Sequence, residues 1–498
     1  MKTAQEFIDS LRGLKHELYV LGERVENPTE HPILRPSLNA LAKTYEMAHH
    51  GFGTPSATGG LCPPRPKPRC TELFVRQGLD GEPVNCFTSL HHSTQHLLDK
   101  VKALRILGQE TGTCFQRCVG WDALNALEST TFEMDQALDT QYHHRFMDYL
   151  RYVQQNDLVC NGAMTDVKGD RSLRPSQQAD PDMFLHVVGR RPDGIVVRGA
   201  KAHQTGAVFS HEIIAMPTLS MRADDEDYAV AFAIPSDAEG ITYILGRQSC
   251  DTRKLEGSPM DVGNATFGGH EALVIFNDVF VPNEQVFMDG EWQFSRVLVE
   301  RFAGYHRQSY GGCKAGVGDV LIGAAATATE YAGVARASHV RRKLAEMIHL
   351  NETLFACGLG CSVAGTAMPS GTYLVDLLLA NVCKQNVTRF PYEIARLAED
   401  LAGGLMVTLP SEKDLNHPEI GSLVEKYLRG VAEMPTADRM RILRLIENLT
   451  LGTAAVSYRT ESMHGAGSPE AQVIMIGRLS DLEAKKALAK RLAGIRSP

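Results

Sequence analysis

The stretch YHRQSYGGCK carries three side chains that could take part in metal or acid–base chemistry. His306, Tyr310 and Cys313 stand at i, i+4 and i+7, so a helix of about 3.6 residues per turn would place them on one face. Gly311 and Gly312 precede the cysteine, and each weakens a helix by roughly 1 kcal/mol relative to alanine. This favours a position where a bulky group approaches the backbone closely. The face is therefore a candidate site.

Two cysteine pairs have a spacing that would put both thiols on one side of a helix. Cys114 and Cys118 lie in TGTCFQRCVG, and Cys357 and Cys361 lie in FACGLGC. Apolar neighbours around the second pair favour buried thiols, whereas the polar neighbours of the first pair resemble the wall of a site. Because the bare spacing is not specific, burial remains an alternative for both pairs.

Joining the first pair to the helix face yields a set of three cysteines and one histidine, Cys114, Cys118, His306 and Cys313. Zinc binds such sets, although structural zinc ligands usually stand in close pairs on loops. An iron–sulfur cluster prefers thiolates, and one histidine ligand would leave one iron less tightly held and open to a substrate. Spacing alone leaves zinc, a cluster and simple burial open.

Further polar residues lie where either structure or chemistry could use them. Lys201, His203 and Thr205 alternate in GAKAHQTG, which predicts that they share one side of a strand. Glu271 opens an apolar strand in FGGHEALVIF, where a carboxylate is costly unless it is paired or functional. Glu461 in YRTESMHGAGSP follows a predicted helix, and a turn role is the alternative there.

The elements that must position these residues change in type along the chain. Helical periodicity dominates residues 1–152, short β-branched or alternating runs dominate 153–288, and long helical blocks return in 289–498. The sequence therefore predicts an α+β fold with an N-terminal helical domain, a middle β-barrel or β-sandwich domain and a C-terminal helical bundle. Pro391 should kink or interrupt the third of the C-terminal helical blocks, the one that runs through LAEDLAGG.

Two N-terminal segments carry specific expectations. Apolar residues recur with a helical period across 3–25, which predicts one long helix there. Residues 51–70 are rich in proline and glycine, which predicts an irregular surface loop.

Composition excludes several functional classes. The net charge is −8 and basic residues are scattered over the 498 positions, which argues against a nucleic-acid or anionic-membrane surface. The N-terminus lacks the apolar core of a signal peptide, and no segment is apolar enough to span a membrane. Eleven dispersed cysteines are typical of a reducing, cytoplasmic location. Rossmann and P-loop glycine motifs are absent.

Long stretches of the chain resemble the 4-hydroxybutyryl-CoA dehydratase branch of the 4-hydroxyphenylacetate 3-hydroxylase family, which shares the acyl-CoA dehydrogenase fold. The resemblance covers essentially the whole chain. It is carried by HPILRPSLNALAKTYE, TCFQRCVGWDALNA, GAMTDVKGDRS, VVRGAKAHQTG, GRQSCDTRK, FGGHEALVIF, VERFAGYHRQSYGGCK, LLLANVCKQNVTRFPYEIARLAEDLAGGLMV and YRTESMHGAGSP.

The resemblance assigns the family's cofactors and polar groups to numbered residues. It implies a [4Fe–4S] cluster held by Cys114, Cys118, His306 and Cys313. It implies active-site roles for Gln116, Thr205, Glu271, Tyr310, Lys314 and Glu461. It implies FAD contacts at Met164, Thr165, Lys201, His203 and Thr205, with a neighbouring subunit adding Glu399, Gly403 and Gly404.

The activity implied by the resemblance is radical dehydration of 4-hydroxybutyryl-CoA to crotonyl-CoA, with isomerisation of vinylacetyl-CoA to crotonyl-CoA. His306 would be the base, Tyr310 and Glu461 would handle protons at the leaving hydroxyl, and Glu271 and Lys314 would hold the site's charge. A homotetramer acting on an acyl-CoA in the cytoplasm is expected. The alternatives are a flavin-dependent aromatic monooxygenase, whose branch lacks the cluster cysteines, an acyl-CoA dehydrogenase, and a zinc-stabilised helical protein.

Overall fold

The computed structural model describes residues 1–50, 71–247 and 258–495. The expected surface loop 51–70 lies outside the described residues, as do Cys62, Cys70 and Cys250. Within the described ranges, every helix is too short or too polar to cross a membrane.

The N-terminal part is mainly helical. Its helices are α1 (Ala4–Leu11), α2 (Arg35–His50), α3 (Thr71–Phe74), α4 (Thr94–Thr111), α5 (Cys118–Leu138) and α6 (Tyr142–Gln155). Its short strands are β1 (Glu17–Val20), β2 (Glu23–Arg24), β3 (Val75–Gln77) and β4 (Pro83–Asn85).

The predicted single helix over 3–25 is wrong. Thr3 caps α1 through a capping box, and the helix ends at Leu11. Leu18 and Val20 are buried while the residues before each of them are more exposed, a period of two that suits β1, which pairs in parallel with a later strand. Leu21 then turns the chain with a φ of 52°. Apolar residues spaced for a helix also satisfied this shorter strand pattern.

The middle part contains most of the β structure. Its strands are β5 (Cys160–Ala163), β6 (His186–Arg191), β7 (Gly194–Thr205), β8 (Glu212–Ala215), β9 (Val230–Pro235), β10 (Ile241–Leu245), β11 (Glu271–Pro282) and β12 (Val286–Asp289), with helix α7 (Pro259–Val262). They form a six-stranded sheet in the order β2-β1-β10-β11-β7-β6 and a four-stranded sheet in the order β12-β9-β8-β5. The sheets are open and their inner faces share one apolar core, so the sandwich alternative is confirmed over a closed barrel.

The C-terminal part is a helical bundle. Its helices are α8 (Trp292–Tyr331), α9 (Ser338–Val363), α10 (Leu377–Val387), α11 (Phe390–Ala402), α12 (Glu412–Leu415), α13 (Gly421–Leu428), α14 (Thr436–Thr450), α15 (Thr453–Ala455), α16 (Glu461–His464), α17 (Pro469–Leu479) and α18 (Leu482–Leu492), with a small hairpin of β13 (Thr366–Ala367) and β14 (Tyr373–Leu374). Pro391 lies in the first turn of α11, where a proline needs no backbone donor, and α11 continues unbroken to Ala402, so the predicted kink or interruption of this helix is wrong. The α+β prediction as a whole is confirmed.

Close helix crossings bring α8 against α4 and α9. A Cβ added at Gly108 on α4 would lie 2.6 Å from the carbonyl oxygen of Cys313 on α8. A Cβ at Gly311 would lie 2.7 Å from the Cα of Gly358 on α9. The glycines before Cys313 do mark a close approach, as the sequence indicates, but neighbouring helix backbones occupy that space, so the expectation of a bulky group there is wrong.

Candidate functional site

Cys114 and Cys118 lie at the junction of α4 and α5 and do not share one helix. Gly112 ends α4 with a left-handed conformation, and Gln116 also has a positive φ, of 66°. Cys118 is the first residue of α5, so the loop presents Cys114 from a different direction. The predicted common helix face is therefore wrong for this pair, because two left-handed residues break the helix between α4 and α5.

The α8 residues share a face, as their spacing predicts. His306, Tyr310 and Cys313 all lie within this 40-residue helix. The rings of His306 and Tyr310 meet edge to face with centroids 5.1 Å apart. Tyr310 and Cys313 are buried, and the side chain of His306 is only 15% exposed.

Three thiols lie close enough to influence one another's charge. Burial raises the pKa of Cys118 well above its ordinary value, and the neighbouring Cys114 and Cys313 raise it further. Burial likewise raises the pKa of Cys313, to about 11. Buried thiols of this kind ionise when a metal supplies the compensating positive charge. All three are free of disulfides.

Behind His306 lies a buried carboxylate that the sequence reasoning missed. Asp122 stands four residues after Cys118 on α5, and its Oδ2 lies 2.7 Å from Nδ1 of His306. Lys100 forms an ion pair with the same carboxylate, and both side chains are fully buried. The i, i+4 spacing from Cys118 was the available signal, but nothing in the sequence indicates the long-range contact with Lys100.

A second group of charges lies one turn further along α8. Lys314 Nζ donates to Glu461 Oε2 at 2.9 Å, and the hydroxyl of Thr205 donates to Glu271 Oε2 at 2.6 Å. Burial raises the pKa of Glu271 well above its ordinary value, and the negative charge of Glu461 adds to this. Burial alone would lower the pKa of Lys314, but Glu461 and the neighbouring thiols raise it. The structure thus brings these four predicted residues together.

Tyr310 is enclosed between two lysines and a glycine. Lys314 and Lys384 each place Nζ 5.0 Å from the centre of the Tyr310 ring. The hydroxyl of Tyr310 presses against Gly465, where no side chain would fit. Burial, together with Lys314 and Arg307, lowers the pKa of Lys384 to about 7. Sequence reasoning missed Lys384, although a lysine within the apolar run LLLANVCK was a signal.

Gln116 lies between Cys114 and Cys118, in the loop that connects α4 and α5, and its side chain hydrogen-bonds two other parts of the chain. Its Oε1 accepts from the hydroxyl of Ser37 at 2.8 Å, and its Nε2 donates to the carbonyl of Gly268 at 3.3 Å. Gly206, the residue after Thr205, packs so closely against Gln116 that an added Cβ would lie 2.8 Å from the Gln116 Cβ. Gln116 is therefore placed near the Thr205–Glu271 pair, with its amide already hydrogen-bonded.

The predicted flavin segments of the β part are neighbours. The amide of Ala202 donates to the carbonyl of Thr165 at 2.8 Å, which joins the segment of Met164 and Thr165 to β7. Lys201 is buried, where it pairs with Asp166 at 2.8 Å and donates to the carbonyl of Met164 at 3.1 Å. Its ammonium therefore joins two chain segments within the core.

The prediction that Lys201, His203 and Thr205 share one side of a strand is wrong. His203 has a φ of 57°, and the register against β11 shifts at this point, so a β-bulge interrupts the alternation. Lys201 is buried, His203 is exposed, and Thr205 is half-buried beside Glu271.

The segment expected to serve a neighbouring subunit lies at the end of α11. Gly403 ends the helix with a φ of 73°, and Glu399 lies 3.8 Å from Arg459. Gly403 and Gly404 are exposed, and in the described part of the chain nothing lies within 4 Å of a Cβ built on either.

Comparison with known proteins finds family models and relatives that match almost the whole chain. A family model described as 4-hydroxyphenylacetate 3-hydroxylase N terminal matches residues 3–288, and its C-terminal counterpart matches 295–494. The chain is 55% identical over 506 residues to a 4-hydroxybutyryl-CoA dehydratase/vinylacetyl-CoA-Delta-isomerase of Clostridium aminobutyricum, covering 100% of both chains. It is 27% identical to the 4-hydroxyphenylacetate 3-monooxygenase oxygenase component of Thermus thermophilus, covering 90% of this chain and 88% of that one.

Two solved structures show the same fold. An oxygen-tolerant archaeal 4-hydroxybutyryl-CoA dehydratase from N. maritimus superposes with a TM-score of 0.94 at 53% identity, covering 100% of this chain and 96% of that one. The oxygenase component of a 4-hydroxyphenylacetate 3-monooxygenase, complexed with FAD, superposes with a TM-score of 0.86 at 24% identity, covering 99% and 98%.

Proposed function

Because this chain belongs to the 4-hydroxyphenylacetate 3-hydroxylase family, we propose that its site dehydrates 4-hydroxybutyryl-CoA to crotonyl-CoA and isomerises vinylacetyl-CoA to crotonyl-CoA. The observation that carries the proposal is the meeting of three free thiols and His306 beside the Glu271–Glu461 group. The full-length identity to a dehydratase/isomerase supports it.

The ligand residues suit a [4Fe–4S] cluster better than a single zinc ion. Four ligands around one zinc lie roughly 4 Å apart, as Zn–S bonds of about 2.3 Å in a tetrahedron require. Among the described residues, the ligand atoms of Cys118 and His306 come within 4.8 Å of each other, whereas Cys114 and Cys313 stand outside that group. A wider set of mainly thiolate ligands fits a cluster, which Cys114, Cys118, Cys313 and His306 would hold.

The reaction is difficult because the hydrogen on C3 is not acidic and the hydroxyl on C4 leaves poorly. Bound FAD would exchange single electrons with the substrate, and the cluster would act as a Lewis acid at the leaving hydroxyl. The chain's own residues must then bind the thioester, remove the C2 proton and handle the proton of the departing water.

We assign proton removal at C2 to His306. Its Nδ1 faces Asp122, so Nε2 is the nitrogen that points away from this contact and can accept a proton. A base that serves this step must reach the proton directly, so His306 would alternate between ligand and base.

The carboxylates would serve the leaving group. Burial and Glu461 raise the pKa of Glu271 well above its ordinary value, so Glu271 would hold a proton more readily than an ordinary carboxylate, and the Thr205 hydroxyl donates a hydrogen bond to it. Glu461 is oriented by Lys314, and Tyr310 lies between this group and His306. Tyr310 and Glu461 would transfer protons at the substrate's C4 hydroxyl as it leaves. Glu271 and Lys314 would balance the charge of the site. The isomerisation needs only proton shifts at C2 and C4, which the same groups can perform.

The flavin and the assembly belong to the same proposal. A related hydroxylase is complexed with FAD, and the adjacent segments at Met164–Thr165 and on β7 would contact the flavin here. Lys201 would support that surface from within, while His203 is exposed and Thr205 is half-buried beside Glu271. The chain would act as a cytoplasmic homotetramer with domains 1–152, 153–288 and 289–498. The half-buried Glu399 and the exposed Gly403 and Gly404 would meet the flavin of a neighbouring subunit. Sedimentation analysis tests the assembly.

The experiment that tests the proposal is anaerobic analysis of iron, sulfide and flavin, with an absorption spectrum, followed by a crotonyl-CoA assay. Wild type should be brown, with about four irons per chain, as one such cluster requires. Cys313→Ala should lose iron. Cys361→Ala is the matched control, because Cys361 is also a buried bundle cysteine but belongs to no proposed ligand set.

An iron-free, yellow wild type would refute the dehydratase proposal. Hydroxylation of a phenol with reduced flavin and oxygen would then assign the chain to the monooxygenase branch. Equal iron loss from Cys313→Ala and Cys361→Ala would refute the ligand assignment.

A further inference from the structure

A buried network lies behind His306 and is separate from the proposed ligand set. Asp122 is fully buried, and its Oδ2 lies 2.7 Å from Nδ1 of His306. The hydroxyl of Ser309 donates to the same oxygen at 3.2 Å, and the Lys100 ammonium pairs with Oδ1. Lys100 also donates to the carbonyl of Tyr305 at 3.1 Å, one residue before His306. The carboxylate is therefore held from three sides.

This network selects one tautomer of His306. Asp122 is paired with an ammonium and accepts hydrogen bonds, so the proton of a neutral imidazole stands on Nδ1. Nε2 is then unprotonated, which is the form that binds metals. Phe302 stacks on the ring of His306 with centroids 5.7 Å apart, and this contact limits its rotation.

The same geometry argues against Asp122 as a metal ligand. Cys118, Asp122 and His306 present ligand atoms within 4.8 Å of one another, so a three-residue metal site is the competing interpretation. However, Oδ2 faces a ring nitrogen at hydrogen-bonding distance, and Oδ1 faces a fully buried ammonium. A cation placed beside Oδ1 would meet the positive charge of Lys100.

We infer that Asp122 is a positioning residue that acts through His306. It sets the tautomer and the ring orientation that would turn Nε2 toward the cluster, and Lys100 and Ser309 hold Asp122 in place. The inference rests on the proposed function. Hydrogen-bond partners of metal-bound histidines typically change metal affinity or activity by about 10–100-fold when they are removed.

The test is Asp122→Asn, read by the hyperfine coupling between the reduced cluster and isotope-labelled histidine. The amide oxygen of asparagine should face the Lys100 ammonium, so its NH₂ group faces Nδ1 and forces the histidine proton onto Nε2. We expect the histidine coupling to disappear and turnover to fall by about 10–100-fold. Asp225→Asn is the matched control, because Asp225 is equally buried and paired with Arg174 in the β part.

A variant cycle separates positioning from a purely structural role. In a His306→Ala background, Asp122→Asn should cause no further change in iron content or cluster potential, since its effect passes through the missing ring. An additional loss in that background, or an unchanged histidine coupling in Asp122→Asn alone, would overturn the inference.

A second pair of variants covers the case in which Asp122→Asn does not fold because Lys100 is left buried without its partner. Lys100→Met keeps the Asp122–His306 hydrogen bond and should keep the histidine coupling. Lys100→Met combined with Asp122→Leu removes the acceptor without leaving a charge behind, and it should lose that coupling. If the histidine coupling were retained in both Lys100→Met and the double variant, the inference about Asp122 would be refuted while the proposed function would still stand. Absence of iron from wild type would refute the proposed function first.

Discussion

Gly108→Ala should displace a proposed cluster ligand without touching its side chain. Gly108 lies on α4, and a Cβ there would stand 2.6 Å from the carbonyl oxygen of Cys313 and 3.0 Å from the Cα of Gly316. Both obstacles are backbone atoms of α8, so neither can rotate away. The two helices must separate, and Cys313 would move with α8.

The size of the effect follows from the contact distance. Ordinary Cβ contacts begin at 3.4 Å, so a Cβ at 2.6 Å from the oxygen requires a shift of about 0.8 Å. Overpacking of a close contact typically costs about 1–3 kcal/mol. The gain in helix propensity from glycine to alanine offsets roughly 1 kcal/mol of this cost. Catalytic and binding sites tolerate about 0.5 Å of displacement, so cluster binding should weaken as well.

Gly323→Ala is the matched control, because Gly323 lies on α8 with nothing within 4 Å of its Cβ position among the described residues. Both variants gain the same propensity, so the difference between their unfolding free energies isolates the clash, at about 1–3 kcal/mol. Urea unfolding followed by tryptophan fluorescence suits this measurement, since Trp121 packs in the same core cluster as Leu104, Leu107 and Cys313. Iron content per chain is measured alongside.

Equal stability and equal iron content in Gly108→Ala and Gly323→Ala would refute the close crossing of α4 and α8. A loss of stability with full iron content would instead refute the link between this crossing and ligand placement.

Three further predictions concern single side chains. Burial lowers the pKa of Lys384 to about 7, from 10.5, so between these two pH values the unfolded chain binds more protons than the folded chain. The unfolding free energy should therefore rise with pH across this window, and the rise should be smaller in Lys384→Met. Urea unfolding at several pH values measures it, and an identical slope in the two proteins would contradict the burial of Lys384. Glu271→Gln cannot exchange a proton with Glu461 and should lower turnover by about 10²–10⁴-fold while iron content stays unchanged; turnover near wild type would exclude Glu271 from proton transfer. Tyr310→Phe should keep iron and lower turnover in the crotonyl-CoA assay, because only the hydroxyl beside Gly465 is lost; equal turnover would remove Tyr310 from the proton path.

Much of the fold was readable from local patterns. The long helices α8 and α9 follow from sustained helical periodicity. The spacing of His306, Tyr310 and Cys313 was enough to place them on one face, because a long helix repeats its geometry regularly.

Local patterns failed where a few residues change the backbone direction. The helix expected over 3–25 gives way to β1, whose pairing with β10 is a contact of more than two hundred residues in sequence separation that no local window contains. The left-handed Gln116 separates Cys114 from α5, and the bulge at His203 reverses the alternation on β7. Single left-handed residues carry only a weak sequence signal unless they are glycine.

Sequence patterns were enough to identify the proposed ligands, the helical spacing of His306 and Cys313, the order of helical and β parts, and the resemblance that points to a dehydratase. The contacts between Glu271 and Glu461, between Lys384 and the Tyr310 ring, and of Asp122 and Lys100 behind His306 follow from the three-dimensional packing and from no pattern in the sequence. The reason is physical: helical and strand periodicity arise from neighbours along the chain, whereas the environment of a buried charge is set by side chains that folding brings from distant segments.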